Sequence, residues 1–229
     1  GGVSADAWTV QAGLPGGPAT WTYDAELFDG RPWRIARGRT PGGSTAVNGA
    51  YFQRPHPLDF ARWAEVAGAE WSYEACLPAL RRLESDRDFG GDAVHGADGP
   101  MPVQRTGHDD AVTQGFLAAA RAAGAVTEDD KNGGGASGAG LLPRNALGAE
   151  RWGTDRAYAG LLTGGGVTVR TGATVRRIVF RGDAAVGVEV SGPDGVSDGV
   201  EVIAADEVVL CAGAIETPRL LVASGIGSG

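Results

Sequence analysis

Arg37 to Arg54 reads RGRTPGGSTAVNGAYFQR, and this stretch decides how the rest of the chain is read. Gly42 and Gly43 have no Cβ, so the backbone there can approach a ligand closely and adopt φ > 0. Ser44 and Thr45 follow at once, Asn48 lies four residues beyond Ser44, and the run passes into helix-forming residues. A tight glycine turn that opens a helix is an anion site, because the first helical N–H groups have no intrachain acceptor and point outward. With a helix starting at Ser44, Asn48 would share its face and offer a carboxamide that both donates and accepts. The plain alternative is turn chemistry: many loops carry Gly-Gly-Ser for geometry alone, and Asn often serves as a capping or turn amide.

The stretch continues to Asp59 and Trp63, and a second, different stretch stands near the other end of the chain. That second run is Gly213-Ala214-Ile215-Glu216-Thr217-Pro218, then Leu220-Leu221 and Ser224-Gly225-Ile226-Gly227. Together, in this order, they resemble the two signatures of the glucose–methanol–choline (GMC) flavoprotein oxidoreductases, and the resemblance covers nearly the entire chain. It implies a mixed α/β fold: an FAD-binding Rossmann-like layer, incomplete here, and part of a substrate-side region. Residues 1–54 and 164–229 would be parts of a discontinuous FAD-binding domain, and 55–163 a helical and looped part of the substrate side.

The resemblance also implies site residues. Gly42, Gly43, Ser44, Asn48, Gly49 and Tyr51 fall at FAD-contacting positions, with Tyr51 acting mainly through its backbone. Val175 falls where a strand backbone meets the adenine; as a side chain it reads as a core valine. Ala212 and Gly213 end an apolar strand, where ligands approach open α/β sheets; ordinary strand-to-helix turn chemistry explains them equally well. Some relatives attach flavin covalently through a His just before the Asn, and Val47 stands there, so noncovalent FAD is expected. The family's dinucleotide fingerprint and catalytic His do not occur in this sequence, so no catalytic residue is assigned. With Gly1 at one end and Ser228-Gly229 at the other, the chain reads as an internal fragment.

For the parent protein the implied chemistry is hydride transfer from an alcohol carbon to flavin N5, with reoxidation by oxygen or another acceptor. Arg31-Pro32-Trp33, together with Leu83-Glu84-Ser85-Asp86 ahead of Asp88-Phe89-Gly90, resembles the branch associated with the redox peptide mycofactocin. That branch implies a reduced carrier as substrate and a respiratory electron acceptor. The alternatives are a choline- or glucose-type oxidase, a family lyase that keeps FAD without redox turnover, and an inactive fragment.

Bulk properties bound these readings. The 229 residues suffice for one large domain or two small ones, and 42% hydrophobic with 21% charged residues is the balance of a globular protein. A net charge of −8, without any basic stripe, excludes a nucleic-acid footprint. No apolar run approaches the ~20 residues that span a bilayer, and no signal-peptide pattern is visible, so a cytoplasmic location is expected, with peripheral membrane contact as the variant. Cys76 and Cys211 are too few for a disulfide framework and are expected as buried small hydrophobes. No Cys/His/Asp cluster has metal-ligand spacing, and no metal is expected.

Along the chain, residues 1–36 read as an extended approach. Helices are expected from Asp59, from Ser72 as N-cap, and from Asp109 or Asp110 to a glycine stop at Gly124. Residues 131–140, nearly all Gly, Ala and Ser, read as a loop that could border the substrate side. Strands are expected at Val167–Arg170, Ala173–Phe180, Ala185–Val190 and Val200–Ala204, with a turn at Gly192-Pro193-Asp194-Gly195. Glu207–Gly213 reads as a central parallel strand buried on both faces, with a helix from about Glu216 behind it. The Pro-flanked His56, and the loop residues His95 and His108, could act as acids or bases; a structural role is the more economical reading of each.

Overall fold

The computed structural model describes residues 13–106, 110–192 and 199–227. His108, Asp109, Pro193–Gly195, Ser228 and Gly229 lie outside the described residues. The chain divides into two compact units, 1–167 and 168–229.

The first unit opens with an antiparallel hairpin of β1 (Thr20–Phe28) and β2 (Arg31–Gly38). This corrects the extended approach expected for residues up to 36. Asp29-Gly30 makes the turn, Gly30 has φ 71°, and its N–H donates to Glu26 at 2.6 Å. Asp-Gly between two runs of alternating residues is a hairpin signal.

After the signature stretch come α1 (Pro57–Ala67) and α2 (Tyr73–Leu83). His56 caps α1: its Nδ1 accepts the Leu58 N–H at 3.2 Å, while its own N–H donates to Asp59 at 3.0 Å. Pro57 sits where its missing N–H costs nothing. Ser72 caps α2 as expected, accepting the Ala75 N–H at 3.3 Å. Phe60 is the buried side chain of α1 and meets Trp63 and Tyr73 edge-on, with ring centroids 5.0 and 5.6 Å away.

Strand β3 (Glu84–Asp86) pairs in parallel with β4 (Met101–Arg105). The expected third helix is α3 (Ala111–Ala122), N-capped by Asp110 and followed by Gly124 at φ 87°. Strand β5 (Pro143–Arg144) adds antiparallel to β4; β6 (Ala146–Leu147) and β7 (Glu150–Arg151) form a short ladder; α4 (Thr154–Ala157) and α5 (Ala159–Thr163) follow. The glycine-rich run after Lys131 is an ordered loop. Glu128 accepts from Lys131 Nζ at 2.7 Å and from the Gly138 N–H at 2.9 Å, and Lys131 also donates to the Gly138 carbonyl.

The second unit is an antiparallel meander, β8 (Thr174–Arg181), β9 (Ala184–Ser191) and β10 (Glu201–Ala204), joined by α6 (Gly213–Ala223). Ile178, Val190 and Leu220 are its buried apolar side chains, and Ser224 ties α6 to β8 by accepting the Ile178 N–H at 2.8 Å. Two expected strands are not formed. Val167–Arg170 and Glu207–Ala212 pair with no strand among the described residues; Val209 is 74% exposed and Cys211 is exposed too. A parallel strand exists only through ladder bonds to its neighbours, so an apolar run without them stays irregular whatever its propensity. Cys76 is half-buried, its thiol donating toward the Glu70 carbonyl, so neither cysteine is the core residue expected. No helix among the described residues is long and apolar enough to cross a membrane.

Candidate functional site

Gly42 and Gly43 both take left-handed backbone angles, φ 83° and 54°, as the glycine pair suggested. They differ in what surrounds them. A Cβ on Gly42 would lie 2.7 Å from Asp155 Oδ1, whereas one on Gly43 would meet nothing within 4 Å. Gly42 is pressed against the protein and Gly43 presents bare backbone to open space.

The helix expected beyond them is a single four-residue 3₁₀ turn, Gly43–Ala46, ending at Val47. Thr45 is one cause: its hydroxyl donates back to the Gly42 carbonyl at 2.6 Å, the local competition that makes Thr a poor helix interior. Arg151 is another, because its Nη1 donates to the Asn48 carbonyl, which a continuing helix would use itself. The anion site built on a helix N-terminus is therefore not formed. Ser44 and Asn48 still end one turn apart, with the Asn48 N–H donating to the Ser44 carbonyl at 2.9 Å.

Ser44 Oγ accepts the Gly38 N–H at 3.1 Å, which leaves its proton to donate. Asn48 Oδ1 accepts the Ala50 N–H at 2.9 Å and Arg151 Nη1 at 3.1 Å. Beyond Gly49 the chain turns sharply: Ala50 holds φ 60° and is fully buried against Ala146. A left-handed non-glycine residue costs energy that packing must offset, and such positions cluster at functional sites. Tyr51 bridges Arg144 through its backbone, with its ring 62% exposed beside Gly49. Val47, by contrast, is buried.

Arg37 donates to the Ala36 carbonyl, and the Arg39 guanidinium lies 4.2 Å from the centre of the Trp21 ring, so Arg39 is stacked on this hairpin. In the second unit, Val175 pairs with Val190 and its carbonyl accepts from Arg219 at 3.4 Å. Ala212 is the N-cap of α6 and Gly213 its first residue at φ 85°, so that helix begins three residues earlier than expected.

The most strongly perturbed groups include His95, for which the sequence favoured a structural role, and carboxylates that it did not mark as site residues. Glu84 and Asp86 project from the same face of β3, two residues apart, onto His95. His95 Nδ1 lies 2.7 Å from Glu84 and 3.2 Å from Asp86, and Nε2 lies 2.8 Å from Asp130. Arg54 donates to Glu84 at 2.6 Å, and Arg105 to Asp86 and Asp130, each at 2.7 Å. His95 is 0% exposed. Burial alone would lower its pKa, but hydrogen bonds donated to Asp86, Glu84 and Asp130 outweigh that and lift it from 6.5 to about 10. Burial would likewise raise Asp86, yet His95, Arg105 and the N–H groups of Phe89 and Asp88 hold it well below the usual carboxylate range. Glu84, Asp86 and His95 converge closely enough to hold a cation. The same three side chains are also paired with one another and with Arg54, Arg105 and Asp130, the arrangement of a buried ion network. The sequence signal for it was the alternation Glu84-Ser85-Asp86 directly after a helix, where period two sets both carboxylates on one face.

The GMC oxidoreductase family profile matches residues 5–229. The chain belongs to the GMC oxidoreductase family. It is 43% identical over 221 residues to an uncharacterized GMC-type oxidoreductase of Rhodococcus erythropolis, covering 93% of this chain and 43% of that protein. It is 38% identical over 222 residues to pyridoxine 4-oxidase of Microbacterium luteolum, covering 90% and 41%. The crystal structure of pyridoxine 4-oxidase from Mesorbium loti superposes with a TM-score of 0.87 at 31% identity, over 97% of this chain and 45% of that one. The mixed α/β architecture is thus that of solved GMC proteins. This GMC chain spans about two fifths of the length of the curated relatives it matches.

Proposed function

We propose that this chain carries part of the cofactor cradle of an FAD-dependent oxidoreductase that takes hydride from the CH–OH group of an alcohol. Membership of the GMC family supports the class, and one observation carries the placement. At Gly43 the backbone turns left-handed beside open space, flanked by a Ser44 hydroxyl and an Asn48 amide that retain donors. That arrangement fits a large anionic nucleotide, which needs close backbone approach and hydrogen-bond donors rather than a covalent partner. Gly42, Ser44, Asn48, Gly49 and the Tyr51 backbone would line it; in the second unit, taken by itself, Val175, Ala212 and Gly213 would be cofactor contacts. In this reading residues 1–54 and 164–229 are parts of a discontinuous FAD-binding domain and 55–163 belong to the substrate side. Bound FAD would supply the hydride acceptor; these residues bind and orient it.

The reading is tested on the full-length gene product. Purified protein is expected to show flavin absorbance that bleaches anaerobically with an alcohol, pyridoxine being the first to try because two relatives are named for it. Protein free of flavin overturns the reading, and flavin that no alcohol bleaches points to a non-redox relative. Hydrogen peroxide formed on reoxidation supports an oxidase. Turnover only with an artificial acceptor supports a dehydrogenase, the mycofactocin-linked type included.

A further inference from the structure

We infer that Arg151 makes Asn48 a pure hydrogen-bond donor toward the bound cofactor, an inference that rests on the flavin reading above. A free carboxamide can present either its oxygen or its N–H₂ to a ligand. Here the oxygen is occupied from both sides, by the Ala50 N–H at 2.9 Å and by Arg151 Nη1 at 3.1 Å. The same Nη1 donates to the Asn48 main-chain carbonyl, so one guanidinium nitrogen holds both the backbone and the side chain of one residue. Turning the amide over would set its N–H₂ against two donors, one of them cationic. Its orientation is therefore fixed, and Nδ2 keeps its protons for an acceptor outside the described residues.

Arg151 is 3% exposed, and Arg156 braces it by donating to its carbonyl at 2.9 Å. The segment that carries it also holds the other end of the turn. The Thr154 N–H donates to Thr45 Oγ1 at 3.0 Å, and the Thr154 hydroxyl to the Gly42 carbonyl at 3.3 Å. A second buried guanidinium, Arg144, donates to the Gly49 carbonyl at 3.4 Å. Residues 151–154 thus set the positions of 42, 45 and 48 together, and Arg151 is a positioning residue. The group that meets Asn48 must then be an acceptor; on an oxidised flavin ring N1, C2=O, C4=O and N5 qualify and N3–H does not.

Asn48→Asp and Arg151→Met separate these roles. N48D keeps the acceptor contacts and adds an ion pair with Arg151, but puts an anion where the N–H₂ was. FAD titrated into the full-length apoprotein, followed by flavin fluorescence, is expected to bind at least about tenfold more weakly to N48D than to wild type. Its urea midpoint should be unchanged or higher. R151M should weaken FAD by a similar factor, and an N48A/R151M cycle of urea midpoints should be non-additive. Wild-type affinity in N48D overturns the donor role, and an additive cycle overturns the hold by Arg151. Should R151M fail to fold, R151Q takes its place in the cycle, and N48D still decides the donor role. A wild-type apoprotein that takes up no FAD sinks the flavin reading itself, while the urea cycle still decides whether Arg151 fixes Asn48.

Discussion

The turn at Gly42–Asn48 and the network around His95 are both dense in hydrogen bonds, and they differ in where those bonds point. Around His95, one imidazolium and two guanidiniums close inward on Glu84, Asp86 and Asp130. Around Asn48 the acceptors are satisfied from behind and the donors are left facing out. Residue type would favour the first as the active centre, since it holds the histidine and the carboxylates. Closure argues the reverse. A charge whose partners surround it is held in place, whereas a rigid polar atom with no partner is prepared for a ligand.

The largest effects should come from opening the closed region. Arg105→Met leaves Asp86 buried against fewer counter-charges, and losing one partner of a buried ion network costs about 3–5 kcal/mol. Urea unfolding should show it as a large fall in midpoint; a fall below about 1 kcal/mol would mean that water screens the cluster. Its pH behaviour follows from the shifts. The His95 pKa is raised in the folded chain, so its stabilisation is complete below pH 6.5 and is lost as pH climbs through about 10. Asp86 is depressed, so its contribution is present above pH 3.8 and is lost as pH falls through its lowered value. Thermal melts across pH should therefore show a broad plateau with an alkaline descent, and His95→Gln should flatten that descent.

The glycines sharpen the comparison by crossing two rankings. Each alanine substitution forces a left-handed residue, at roughly 1–2 kcal/mol. Gly42→Ala adds a clash with Asp155 at 2.7 Å, and Gly43→Ala adds none. Gly42→Ala should therefore be the less stable protein, and Gly43→Ala the one with the greater loss of FAD affinity for its stability. If melting temperature and FAD titration rank the two alike, the open face of Gly43 is not where the cofactor lies.

Local chemistry was legible in the sequence wherever it was self-sufficient. Ser72 and Gly124 bound their helices because a cap needs only its own few residues. The meander from Thr174 to Ala204 followed from alternation. What failed depended on partners distant in sequence. The apolar run at 207–212 has strand propensity but no ladder among the described residues, so propensity did not decide. The β1–β2 hairpin was missed although Asp29-Gly30 announced it. Of the His95 network the sequence offered only the Glu84–Asp86 alternation and a structural reading of His95, because residues 54, 84, 86, 95, 105 and 130 meet only in the folded chain. Gly42, Gly43 and Asn48 were picked out by motif, but the donor sense of Asn48 belongs to Arg151, some hundred residues away.

The smallest effects test a residue that residue type makes suspect. His56 stands between two prolines beside the signature, where an acid or base is easily imagined. In the structure its ring accepts the Leu58 N–H and its N–H is held by Asp59, so both contacts serve the start of α1. Removing such a cap costs about 1 kcal/mol, as Ser72→Ala should for α2, and an asparagine in its place should restore most of it. His56→Asn is thus expected to melt within a few degrees of wild type and to keep kcat and its pH profile. A kcat that fell tenfold while stability held would move His56 from the closed class to the open one, since a cap has no means of changing turnover without changing the helix it holds.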